Sequence, residues 1–155
     1  MFHEKFSDGH QETTPTMYQA IDKYFFLKNA AHRMTVVIEP VMKEISKELH
    51  HSGHESAIIK EHQTISKNGT LHHRHISLII FTGDKKPACN PVKYPVIAFV
   101  ANSDKKIVWV RENKMVSKNN RERNAGEYQI GEITRQLVEK HIHNFLREAL
   151  RKTGL

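Results

Sequence analysis

From Tyr24 onward, apolar residues recur at steps of three or four, at Leu27, Ala31, Met34, Ile38, Val41, Ile45 and Leu49. That spacing puts them on one face of a helix of about seven turns. Thr14 is placed to cap it, and Pro15 suits the first helical position, where no backbone donor is needed. Pro40 stands inside the pattern; it lacks an N–H and disfavours helical geometry at Glu39. The preceding run "TVVI" would suit a short strand, but the stripe stays in phase across the proline. The pattern therefore predicts one long helix, kinked at Pro40 and ended by Gly53.

The period then falls to two. "SAIIKEHQTIS" and "LHHRHISLIIF" flank Lys67, Asn68, Gly69 and Thr70, and Asn-Gly is the preferred pair for a two-residue hairpin turn. Such a turn sets Ile59 opposite Leu78, His62 opposite His75, and Thr64 opposite His73. One face then carries Ala57, Ile59, Ile65, Ile76, Leu78 and Ile80, which the helices must cover. The other carries Lys60, His62, Thr64, His73, His75 and Ser77, with Ile58, Ile79 and Phe81 at its far end. After a Gly- and Pro-rich loop, "VIAFVAN" and "KKIVWVRE" form a second hairpin, apolar on both faces. Val96, Val100, Ile107 and Trp109 share one face; Ile97, Phe99, Val108 and Val110 share the other. A two-residue loop here would set Ala98 opposite Trp109 and Phe99 opposite Val108.

"EYQI" offers a short fifth strand, and a closing amphipathic helix turns Leu137 or Val138, Ile142, Phe145, Leu146 and Ala149 inward. The expected class is α+β: an antiparallel four- or five-stranded meander with long N-terminal and C-terminal helices packed on one face. The chain has 155 residues, enough for one domain with its own hydrophobic core. The division expected is a mobile arm over residues 1–13 and a single domain over 14–155, with a basic, mobile loop at 113–126. The first fifteen residues lack the basic start and apolar middle of a signal peptide, Cys89 is the lone cysteine, and no apolar run approaches the roughly 18 residues of a membrane span. A soluble, cytoplasmic protein is expected.

Charge changes this picture by its location. Residues 85–123 hold ten Lys and Arg against three acids, an excess equal to the net charge of the whole chain, +7. Lys105, Lys106, Arg111, Lys114, Lys118, Arg121 and Arg123 are the candidate phosphate contacts, and Tyr94, Trp109 and Tyr128 the aromatics able to stack on unpaired bases. A non-catalytic domain binding nucleic acid is the leading expectation. The second is a dimeric adaptor or chaperone-like protein, whose outer sheet face holds a polypeptide or packs on a second copy as a homodimer. The third is a metal-dependent hydrolase at His62, His73 and His75, which a shared sheet face would bring together in the arrangement of a catalytic zinc, with one coordination position open for water; the leading reading expects no cofactor. Against it, Glu61 would point to the opposite face, leaving no carboxylate to orient the imidazoles. His141 and His143 diverge around a helix and are expected at the surface. Cys89 has no accompanying histidine motif, and no phosphate-binding loop or zinc cysteine pair is present.

Overall fold

The computed structural model describes residues 16–82, 94–114 and 122–151. The expected arm, Thr14, Pro15, Cys89 and the core of the basic loop lie outside them. The first helix, α1 (Met17–Arg33), is capped by Thr16, two residues later than the sequence suggested. The Gln19 N–H donates to Thr16 Oγ1 at 3.1 Å, and the Thr16 N–H donates to Gln19 Oε1 at 2.7 Å, a reciprocal capping box.

Pro40 does not stop the helix. It has no N–H to give, so the chain widens just ahead of it into a π-helical segment, Met34–Ile38, and the Glu39 N–H reaches back to the Met34 carbonyl. Helix α2 (Glu39–His51) continues with Pro40 in its first turn. The wide turn holds one extra residue, which moves the core-facing positions before it back by one. Phe26 and Ala30 are buried where periodicity had chosen Leu27 and Ala31, while Met34, Ile38, Val41, Ile45 and Leu49 are buried as expected. Tyr24 is exposed. Gly53, at φ +90°, ends the helix: its N–H bonds the His50 carbonyl and that of His54 bonds the Leu49 carbonyl, a Schellman closure.

Among the described residues seven strands follow: β1 (Ser56–Glu61), β2 (Thr64–Ile65), β3 (Leu71–His72), β4 (Arg74–Ile80), β5 (Val96–Asn102), β6 (Ile107–Asn113) and β7 (Arg123–Tyr128). Five form an antiparallel meander in the order β1-β4-β5-β6-β7, and β2 and β3 make a separate two-stranded ribbon. A short 3-10 turn, Ile130–Glu132, leads into α3 (Arg135–Arg151), whose first turn is capped by the Thr134 hydroxyl. Helices and sheet enclose one core, with Val138, Ile142, Phe145, Leu146 and Ala149 of α3 in it. None of the described helices is long and apolar enough to cross a membrane.

The first hairpin corrects the expected register. Lys67, Asn68 and Gly69 form a three-residue loop closed by the Ser66 N–H to the Thr70 carbonyl at 2.9 Å, with Gly69 at φ +86°. A turn followed by a left-handed glycine is the other common hairpin closure, and it shifts the pairing by one residue. Ile58 therefore lies opposite Leu78, and Glu61 opposite His75. A slip of one turns a whole strand over. Ser56, Ile58 and Lys60 face the helices, where Ser56 meets Ser46 and Lys60 meets Glu39, and Ala57, Ile59 and Glu61 face outward.

The second hairpin also differs, but by two residues: Val100 pairs with Trp109 and Phe99 with Val110. A slip of two keeps every side chain on its expected face. The fifth strand begins at Arg123, so the C-terminal part of the expected basic loop is sheet. There Gly126 makes room for a tyrosine. A Cβ on Gly126 would lie 2.8 Å from the ring of Tyr128, whose hydroxyl is 2.7 Å from His141 Nε2. Gly126→Ala is expected to displace that ring and cost about 1–3 kcal/mol in chemical denaturation. The loss should vanish in a Tyr128→Ala background; an equal loss there would mean the ring is not what the glycine accommodates.

Candidate nucleic-acid interface

Alternation along the meander decides what the sheet offers on the side away from the helices. Phe99, Val108 and Val110 point into the core, so Val100, Trp109 and Arg111 point outward, beside His75 and Ser77 of β4. Asn102 shapes the adjoining turn: its Oδ1 accepts from the N–H groups of Asp104 and Lys105 at 2.9 and 3.0 Å. Lys106 closes the turn in left-handed backbone at φ 57°. This geometry carries Lys105 back over the sheet, its ammonium 5.9 Å from the centre of the Trp109 ring. From along the strand, the Arg111 guanidinium lies 5.5 Å from the same ring. Cations over an indole face are attracted by its quadrupole.

A histidine completes the group. The ladder breaks between β3 and β4, and His73, at the break, sets its ring edge-on to Trp109 with centroids 5.7 Å apart. Three buried side-chain polar atoms lack a hydrogen-bond partner among the described residues: His73 Nδ1, Trp109 Nε1 and Arg111 Nε. All three belong to this one cluster. A buried polar group left unpaired costs about 1–3 kcal/mol.

The seven cations singled out in the sequence are not brought together. Lys105 and Arg111 stand on the outer face, where Arg111 also pairs with Glu122 at 3.2 Å. Lys106 turns to Asp22 of α1 at 3.5 Å. Lys114 lies on the helix side between Glu112 and Glu148, at 3.1 and 3.3 Å, and holds the Glu148 carboxyl below its ordinary pKa. Arg123 reaches Glu112 at 3.5 Å. Lys118 and Arg121 lie outside the described residues. Of the three candidate stacking aromatics only Trp109 stands on this face unburied. Tyr94 is buried against Phe81, and Tyr128 is bonded to His141.

The three candidate metal ligands part in the same way. His62 sits across the ribbon junction from Arg74, which donates to its Nδ1 at 2.7 Å. Arg74 shares the helix-facing side of β4 with Ile76 and Leu78, whereas His75 points outward. His75 Nδ1 donates to the His73 carbonyl at 3.2 Å, and its Nε2 is 3.6 Å from the Glu61 carboxylate, which the corrected register places on the same face. Among the described residues no group of three His, Cys, Asp or Glu is arranged to hold a metal ion. His141, expected at the surface, is half-buried between Phe99 and Tyr128; desolvation pushes its pKa down, against the pull of Glu112. Its neutral Nε2 can accept the Tyr128 hydroxyl proton.

Fold and site together define a helix-backed antiparallel sheet with a polar-rimmed tryptophan on the face away from the described helices. Compared with protein-family models, curated proteins and solved structures, the chain matches none.

Proposed function

We propose that the chain is a non-catalytic binding domain that takes single-stranded nucleic acid on the outer sheet face, centred on Trp109. The observation that carries this reading is the gathering of the unpaired buried side-chain polar atoms of the described residues around one tryptophan flanked by two cations. A nucleotide suits the groups that do reach this face: its base has a π-face to stack on the half-exposed indole, and its phosphate pairs with the exposed ammonium of Lys105. The reading narrows the seven cations to Lys105 and Arg111, with His73 and His75 beside them.

A fluorescent single-stranded oligonucleotide titrated at several salt concentrations tests it. Each phosphate contact adds about 0.7 to the slope of log affinity against log salt. Lys105→Gln and Arg111→Gln are each expected to lower that slope by one such step, and Lys106→Gln to leave it unchanged. Trp109→Ala should weaken binding by one base stack, roughly 5- to 150-fold. Undiminished binding by Trp109→Ala would end the nucleic-acid reading. Ile59, Val96 and Val100, half-buried on the same face, would then make an extended polypeptide the next occupant to test.

A further inference from the structure

Five of the seven large hydrophobic side chains exposed among the described residues crowd into the first half of α1: Met17, Tyr18, Ile21, Tyr24 and Phe25, at 77, 82, 41, 60 and 51% exposure. At 3.6 residues per turn they form a single stripe, roughly half a turn around the helix from core-facing Phe26 and Ala30. The helix is thus apolar on two opposite sides, and among the described residues the core uses one of them. The two charged residues in this stretch are already spent: Asp22 pairs with Lys106 and Lys23 with Asp104, both in the β5–β6 turn. Beyond Phe25 the stripe direction passes to Lys28 and His32.

The spacing of the stripe allows it to pair with itself. Its five positions lie at −4, −3, 0, +3 and +4 about Ile21, so it reads the same in both directions. An isologous contact requires a surface to be complementary to itself under a two-fold rotation. We infer that a second copy of this chain packs on α1 as an antiparallel helix pair, with its two-fold axis at Ile21. Ile21 then meets Ile21 of the second copy, while Tyr18 and Met17 meet its Tyr24 and Phe25. Five side chains at these exposures offer on the order of 600 Å² per copy, below the roughly 800 Å² per partner of a standard stable interface. The dimer should therefore be reversible, dissociating in the micromolar range.

Sedimentation velocity of the full chain over a wide concentration range should show a monomer–dimer equilibrium. Ile21→Lys places two ammonium groups on the axis and is expected to weaken association on the order of a hundredfold. Tyr18→Glu, at a more exposed position, gives a second variant, and circular dichroism confirms that both fold. In a Cys89→Ser background, Ile21→Cys should cross-link to a covalent dimer under mild oxidation, and Asn29→Cys, displaced from the axis, should not. A chain that stays monomeric at every concentration overturns the inference. So does a dimer that survives both charge variants, or one that cross-links as readily at residue 29 as at residue 21. Oligonucleotide affinity of the dissociated variants is read separately, so failure of the dimer and failure of the proposed function can be told apart.

Discussion

Lys114→Met is expected to destabilise the fold by roughly 3–5 kcal/mol, the cost of leaving a buried charge without its close partner. The charge is Glu112, on the helix-facing side of β6, where only 4% of the side chain is exposed. Two cations hold it. Lys114, itself 14% exposed, lies at 3.1 Å, and Arg123, 65% exposed, at 3.5 Å. The outer arginine is screened by solvent, so the weight of the pairing falls on the lysine. Glu148, the second partner of Lys114, reaches water and loses little. Chemical denaturation of Lys114→Met, Glu112→Gln and the double variant forms a cycle in which the double change should recover most of the loss, because removing both members of a buried pair is often near neutral. A single-variant cost under about 1 kcal/mol would show that Glu112 is held by something other than this ion pair. Lys114 lies away from the outer sheet face, so its removal should leave oligonucleotide affinity unchanged. That separates the residue from the basic group to which the linear sequence assigned it.

The elements were legible where one period governed a long stretch. The inward face of α3 follows from the helical period and the division of the second hairpin into two faces from alternation, and both match the structure. Misreadings arose where a single residue was inserted or a loop chose between closures of similar cost. Asn68-Gly69 fits a two-residue turn and a three-residue loop equally well by composition. The structure uses the second, and β1 turns over as a result. Pro40 announced a disturbance, but not that the helix would absorb it by widening one turn, which moved the buried positions of α1 by one. The candidate site was legible in part for the same reason. Charge density along the chain marks the region, yet alternate residues of a strand serve opposite faces, so Arg111 and Glu112 are sequence neighbours with separate roles. His73 joins Trp109 only because the ladder breaks beside it, and no periodicity reports such a break.

Phe99 and Trp109 sit on neighbouring strands and face opposite sides of the sheet, so they allow stability and binding to be separated experimentally. Phe99 is fully buried between Ile76 and Val110 in the centre of the meander, with the His141 ring edge-on above it at 6.5 Å. Phe99→Ala removes that ring from the middle of a close-packed layer and should cost about 3–5 kcal/mol, from lost transfer energy and the cavity left behind. Domains of this kind are typically stable by about 5–15 kcal/mol, so the variant gives up a large share of what it has. Trp109→Phe should behave in the opposite way. It keeps an aromatic ring on the outer face but deletes an indole N–H that is buried and unpaired in the free protein. Removing an unsatisfied donor relieves its desolvation cost, so this variant should be neutral or more stable by up to about 1 kcal/mol. The two denaturation midpoints, measured side by side, decide the matter. A Trp109→Phe variant as damaged as Phe99→Ala would mean that the tryptophan is there to hold the sheet together, and its ring would no longer mark a place for a ligand.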